Sequence, residues 1–438
     1  EGGRERYLKK ETMVPIRYII TGFIFTLSMV MYIDRVNMGI LVNDLKHDDY
    51  TNGLVLSAFY YGYITTQIPA SFLIKLFGPK TVLLAAILSW STCDVLTTVT
   101  YTNVPVLLFV RFLMGVAQGV VFPCTHDICS RWYPGSEKSL LVAIGSSGID
   151  LGVITALYLT PQIQEAFTWV VPIYFYAVVA LLWVSLFFPL GSSAPEDNLV
   201  IPEMERSYIM RTRDLVADSK ASLSWRTIIT SKSVWAICFA HMGNNYAWYV
   251  LLSWVPKYVR EEMGVTMADH PLTAVTPYVV GMICSQGGGY ISDYLINKLG
   301  IRTITARKLM TALSTFIPAA VMFSLSSTTS ADTAEVLFCL AIGFSRFSIS
   351  GYWVSVLDVA PNNAGEVLGF SNTVATLPGM FGNMITGAIL EATDSWHMVF
   401  VITGVLYILG GVSFISMASD RPIGSRTIIT KGILRQQV

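Results

Sequence analysis

VPVLLFVRFLMGVAQGVVFP, residues 104–123, carries one ionisable side chain, Arg111, in twenty residues. A run of that length and apolarity crosses the roughly 30 Å of a bilayer core as one helix. A guanidinium at that depth costs about 2.5–3.5 kcal/mol on insertion scales, so its default reading is functional. Gln118 follows seven residues later, and seven steps of about 100° return to nearly the same helix face. Two further arginines, Arg35 and Arg346, sit in apolar surroundings of the same kind.

The rest of the chain has the same character. Of its 438 residues, 53% are hydrophobic and only 13% charged, where a soluble domain is nearer about 25% charged. The composition is that of a polytopic membrane protein. The zero net charge is uninformative about partners, because the sign pattern along the chain matters more than its sum. The six cysteines, Cys93, Cys124, Cys129, Cys238, Cys284 and Cys339, all fall in or at the ends of apolar segments, which favours packing over a disulfide frame. No cleavable signal peptide is expected, since the first 17 residues are polar and basic and lead into a full-length span. No Asn-x-Ser/Thr triplet occurs.

Windows of about 19 residues give twelve candidate spans. They lie near 16–43, 51–76, 81–101, 104–130, 138–161 and 168–190, then 231–259, 270–296, 308–328, 333–358, 364–390 and 396–418. Twenty-three of the 29 lysines and arginines fall in the two tails and alternate loops. Three (Lys46, Lys257, Arg260) fall in the opposite loops, and three are the intramembrane arginines. That asymmetry predicts both termini in the cytoplasm. The expected organisation is an N-tail over 1–15, six spans over 16–190, a linker over 191–230, six spans over 231–420 and a C-tail over 421–438. Within the linker, residues 202–216 are expected to form a short surface helix, as a plain connection or a membrane-surface anchor. After span two comes Ser71-Phe-Leu-Ile-Lys75-Leu-Phe-Gly78-Pro-Lys80, and after span eight Gly289-Tyr-Ile-Ser-Asp293-Tyr-Leu followed by Arg307-Lys308. Matched basic turns at the same place in each half indicate an internal repeat.

This layout resembles the major facilitator superfamily, whose turn motif is Gly-x-x-x-Asp-Arg-x-Gly-Arg-Lys. The second copy keeps Asp293, while the first has Lys75 where the acid is expected and Leu76 where the arginine is expected. In the family that turn clasps the cytoplasmic gate, so Lys75 and Asp293 are the expected gating residues, and the eroded first copy puts the usual clasp in doubt. Met31-Tyr-Ile-Asp34-Arg35-Val-Asn37-Met, Arg111-Phe-Leu-Met-Gly115-Val-Ala-Gln118-Gly119-Val-Val-Phe-Pro123 and Arg131-Trp132-Tyr-Pro134 are similar to the anion:cation symporter family. That family includes sialin, vesicular glutamate transporters, plastid phosphate transporters and bacterial sugar-acid transporters. Ala240-His241-Met-Gly-Asn244-Asn245-Tyr-Ala-Trp-Tyr249 and Leu357-Asp358-Val-Ala-Pro361 extend the resemblance over roughly residues 16–420.

The resemblance implies an all-α membrane protein of the major facilitator fold, with two six-helix bundles around a central cavity. It implies that Asp34 couples protons and Arg35 holds a substrate carboxylate, with Tyr32, Tyr63 and Asn372 lining the cavity. Where much of the family carries a glutamate, this chain has Gln118, which hydrogen-bonds but does not titrate. Coupling then falls to Asp34 alone or to another intramembrane acid such as Asp150 or Asp94, or the protein is not proton-driven. From the residues alone, two guanidiniums converging on one cavity, Arg35 and Arg111, suit an oxyanion; a static pair of Arg111 with Asp34 or Asp150 is the alternative. Arg346 either adds positive potential to the cavity or pairs with an acid or carbonyls across the second bundle. Asn244 and Asn245 are expected to flank a helix break in span seven. Gly115-x-x-x-Gly119 has the spacing of close helix approach. His126 and His241, close to span ends, lack metal-ligand neighbours, and no catalytic set or phosphate-cradling loop occurs.

The expected function is secondary transport of a small organic anion, coupled to a proton, sodium or voltage gradient by alternating access. Inorganic phosphate is the alternative substrate, and an anion channel or a transport-inactive sensor the alternative class. The expected protein needs no cofactor and no metal, binds no nucleic acid, works as a monomer in a lipid bilayer, and sits in a plasma or organelle membrane.

Overall fold

The computed structural model describes residues 14–41, 49–213, 223–263, 271–328, 330–393 and 395–423. Lys46 and most of both tails lie outside the described residues, as do positions 214–216 of the expected linker helix. Among the described residues every regular element is helical. The first group is α1 (Ile16–Leu41), α2 (Asp49–Gln67), α3 (Ala70–Phe77), α4 (Pro79–Thr100), α5 (Val104–Gln118), α6 (Val121–Trp132), α7 (Lys138–Ala166) and α8 (Val170–Leu190). Two short helices, α9 (Glu203–Thr212) and α10 (Trp225–Thr230), lie in the linker. The second group is α11 (Lys232–Met263), α12 (Pro271–Asn297), α13 (Thr303–Leu325), α14 (Ala331–Ser345), α15 (Tyr352–Val359), α16 (Ala364–Thr393) and α17 (Trp396–Met417).

Three of the expected spans are broken, each for a local reason. Pro69 has no N–H to give the carbonyl of Thr65, so span two divides into α2 and α3. Pro123 withdraws the same bond from Gly119, and span four divides into α5 and α6. Between α14 and α15 the chain tightens into a 3-10 turn, Arg346–Ile349. It is followed by Gly351, where a Cβ would lie 2.4 Å from the Thr311 hydroxyl. The expected break at Asn244 and Asn245 does not occur. Helix α11 runs through both, because the Asn245 amide donates to the carbonyl of Ala375 on α16 (3.2 Å) instead of competing for its own backbone.

Among the described residues eight helical stretches are long and apolar enough to cross a membrane: α1, α4, Val104–Trp132, α7, α8, α13, Asp332–Val359 and α17. The protein is a multi-pass membrane protein. Helices α2, α11, α12 and α16 have 19, 32, 27 and 30 residues. Three of these four supply polar residues to a central cavity.

Within the first group α1 packs on α7 and α2 on α5; within the second α11 packs on α16 and α17. The first group meets the second where α7 lies on α12 and α6 on α16. Approach is close enough to require glycine at two crossings. A Cβ on Gly115 would lie 1.9 Å from the carbonyl oxygen of Phe59, and one on Gly148 would lie 1.9 Å from that of Phe25. Helix α9 is tied to the first group: Glu205 accepts from the backbone N–H of Ile16 (2.9 Å) and Arg17 (3.1 Å), filling orphan donors of the first turn of α1. Arg17 bridges Glu137 and Glu205, and the N–H of Gly135 donates to Thr212 (2.9 Å). The side of the molecule holding these contacts is called the linker face below.

Candidate central anion site

A cavity lies between the two groups of helices. It brings together Tyr32 and Arg35 from α1, Tyr63 from α2, Asn244 from α11, Arg346 from the 3-10 turn and Asn372 from α16. The Asn372 amide donates to the Tyr63 hydroxyl across the two groups (2.9 Å).

Arg35 dominates the first wall. Its guanidinium carbon stands 4.6 Å from the Tyr63 ring centre, 5.1 Å from Tyr32 and 5.2 Å from Phe59. Its Nε donates to the Gln118 side-chain oxygen at 2.9 Å. Among the described residues no carboxylate forms an ion pair with it. A cation held by aromatic faces and a neutral amide keeps its charge available to an incoming anion.

Arg346 forms the opposite wall, 4.1 Å over the Trp248 ring. It is ion-paired with Asp150, which reaches from α7 of the first group. Arg346 thus both lines the cavity and pairs with an acid. The pairing crosses between the groups, however, and does not lie within the second.

Arg111 is placed elsewhere. It is 2% exposed, lies 3.8 Å from Asp94 on α4, and donates to the Met114 sulfur (2.9 Å). Asp34, also buried, faces Arg111 and Asp94. Arg111 and Arg35 therefore do not converge on the cavity. Arg111 and Gln118 share a helix face by period, but seven residues of helix separate them by about 10 Å along the axis. Gln118 stands level with Arg35, while Arg111 stands a layer beyond it, behind Phe59.

At the linker face the two groups are joined by buried polar contacts. Asp358 of α15 receives Lys138 of α7 on one oxygen and Arg307 of α13 on the other (2.7 Å). Arg307 also donates to Ser139 (2.7 Å) and Ser292 (2.8 Å). Asp293 accepts from the N–H groups of Ser139 (3.2 Å) and Leu140 (2.8 Å), at the start of α7. Lys75 of α3 pairs with Glu366 in the first turn of α16. The eroded turn thus still makes a contact between the groups, with the basic partner now on α3 and the acid on α16.

The sequence profile of the Major Facilitator Superfamily matches residues 18–383. The chain belongs to the major facilitator superfamily. Among its relatives are an Arabidopsis thaliana protein named sodium-dependent phosphate transport protein 1, chloroplastic, 32% identical over 91% of this chain and 78% of the relative. A rice protein named probable anion transporter 6 is 30% identical over 93% of this chain and 99% of its own length. An Arabidopsis thaliana ascorbate transporter, chloroplastic, is 30% identical over 90% and 74%. These fit the anion:cation symporter branch. A solved proton:xylose symporter of the superfamily shares the fold, with a TM-score of 0.74 at 13% identity over 93% of this chain and 98% of that one. The protein is a membrane transporter and not an enzyme.

Several residues of this major facilitator site escaped the sequence reading. His241, Trp248 and Trp353 line the cavity, and the Trp353 ring lies 5.0 Å from His126 and 5.1 Å from His241. Aromatic residues are so common here that composition does not separate these three from the rest. Lys138 and Arg307, which the sequence places at basic turns, are only 5% and 1% exposed. Asp358 could have been found, because an acid near the end of an apolar run is the same signal that singled out Arg111.

Proposed function

We propose that this carrier moves a small organic anion, a carboxylate such as an acidic sugar, an amino acid or a dicarboxylate, by alternating access across a plasma or organelle membrane. The observation that carries the reading is Arg35: a cavity-lining guanidinium that donates to the neutral side chains of Gln118 and Met31. Relatives named for phosphate, ascorbate and unspecified anions support an anionic substrate. Tyr32, Tyr63, Asn244 and Asn372 would orient hydroxyl and carboxylate oxygens, and Arg346 would supply further positive potential. Arg111 and Gln118 act at one remove, Gln118 by orienting Arg35 and Arg111 by balancing Asp34 and Asp94. Asp34 and Asp150 are the acids available for proton coupling.

The same reading takes twelve spans as two six-helix bundles, 16–190 and 231–420, joined by the linker 191–230, with the linker face and both termini cytoplasmic. The bundles of a monomer rock about the midplane cavity. Lys75 with Glu366, and Asp293 with the start of α7, are gate contacts made when the cytoplasmic side is shut.

Inorganic phosphate is the second reading, favoured by the relative named for it. Counterflow in proteoliposomes tests both: exchange of labelled gluconate, glutamate or ascorbate that phosphate does not compete away supports the first, and phosphate exchange with indifference to the carboxylates supports the second. Saturable counterflow excludes a channel, and no exchange of any of these anions leaves the sensor.

A further inference from the structure

The ion pair between Asp150 and Arg346 joins the two helix groups at the cavity wall, and it is incomplete. Asp150 is 0% exposed, and its second oxygen, Oδ2, has no hydrogen-bond partner among the described residues; nor does Nε of Arg346. An ionised carboxylate accepts at about four lone-pair positions, so a buried one with an unserved oxygen is a place where a proton can be held. The surroundings leave few other takers. Tyr278 of α12 faces both members of the pair. Tyr32 of α1, Tyr352 of α15 and Tyr407 of α17 face Arg346. Among the described residues Asp150 is the one carboxylate paired with Arg346.

We propose that the Asp150–Arg346 pair is the coupling element of this carrier: a proton taken up on Oδ2 of Asp150 releases Arg346 into the cavity as a second ligand for the anion held at Arg35. The inference rests on the transport reading above and deepens it. The step is a protonation of one carboxylate; the ion pair opens and no covalent bond breaks. With the pair intact, Arg346 is neutralised and the cavity offers one uncompensated cation, Arg35. Once Asp150 is protonated, the cavity offers two guanidiniums, and the anion binds more tightly.

Both forbidden half-reactions follow from the same charges. A proton without an anion leaves Arg346 uncompensated in a buried site, which disfavours conformational exchange. An anion without a proton meets only one free guanidinium. Proton and anion therefore travel together, and the empty carrier returns with the pair re-formed. A proton suits the site because it needs only the one unserved oxygen. This places coupling on α7 and the 3-10 turn, in a chain whose Gln118 cannot titrate.

The test uses the purified full chain in proteoliposomes, with labelled phosphate, ascorbate, gluconate and glutamate screened by counterflow; whichever is exchanged becomes the probe. For the wild type, KM for that anion is expected to fall about tenfold between pH 8 and pH 5.5, the worth of one added charge-assisted hydrogen bond. Asp150→Asn should show a low KM that no longer depends on pH, and net uptake should stop responding to an imposed pH gradient. Arg346→Gln should show a high KM, equally flat. A pH response in Asp150→Asn as steep as in wild type overturns the proposal, as does acid tightening that survives Arg346→Gln. A sodium-gradient response in place of the proton response also overturns it. If Asp150→Asn cannot be recovered folded, wild-type vesicles carrying a lumenal pH dye decide: acidification triggered by anion entry supports the pair, and its absence at zero potential overturns it. If wild type exchanges none of the four anions, the transport reading itself has failed.

Discussion

Replacing Asp358 by asparagine should tip the carrier toward opening at the linker face. Asp358 and Arg307 both belong to the second helix group, while Lys138 belongs to the first, so only Lys138 leaves when that face opens. With the carboxylate gone, the shut state holds two buried cations side by side with no anion between them. Arg307 keeps Ser139 and Ser292 as partners, but Lys138 loses its carboxylate. Stranding one member of a buried pair costs about 3–5 kcal/mol, which at about 1.4 kcal/mol per decade shifts the shut-to-open ratio more than a hundredfold. Arg307 loses the same partner in both states, so its share cancels. The readout is labelling of Ser146→Cys, a cavity position, by a membrane-impermeant maleimide added on the linker side. The half-buried Cys284 and Cys339 are first replaced by alanine. Asp358→Asn should label at least tenfold faster than its parent, and adding Lys138→Met should return the rate most of the way. An unchanged rate, or a double variant that labels as fast as the single one, refutes the gate assignment.

Arg35→Ala should raise KM for the transported anion about tenfold or more, the worth of one charge-assisted contact, with thermal stability in detergent nearly unchanged; equal uptake would remove Arg35 from the site. Arg111→Gln should instead act on stability, because it strands Asp34 and Asp94, at about 3–5 kcal/mol. Adding Asp94→Asn should recover much of that loss in a double-mutant cycle read by thermal unfolding, and strict additivity would show the residues uncoupled. Gly148→Val should block assembly of α7 on α1, since even a Cβ there would sit 1.9 Å from the carbonyl of Phe25. Normal expression and stability of that variant would contradict the close crossing. Charge reversal at the first gate contact, Lys75→Glu with Glu366→Lys, should restore counterflow lost in either single variant.

Much of the architecture could be read from hydropathy, because in a bilayer every backbone group must be satisfied within a helix and apolar runs of fixed length follow. Arg35, Arg346 and Asp150 could be singled out for the same reason, as charges set where they are expensive. Depth was harder than direction. The angle between Arg111 and Gln118 follows from helical period, but the layer at which each meets its neighbours depends on how α1, α4 and α5 stagger, which no single segment encodes. The pairing of Asp150 with Arg346 spans 196 residues and was equally out of reach. Lys138 and Arg307 lie at basic turns, and the burial of those turns between the two helix groups depends on tertiary packing that no turn sequence carries.

Helix α9 has a bearing on how the chain could be divided. Its Glu205 occupies the backbone donors that open α1, and Thr212 accepts from Gly135, so the first part of the linker is structurally a piece of the first half. A split carrier cut after Arg213 would leave that half with its own lid on α1. A cut at Leu190 would deliver a half whose first helix begins with bare N–H groups and an Arg17 short of one acid. The useful boundary between two co-expressed fragments thus lies well inside the polar segment and not at the last residue of the sixth span.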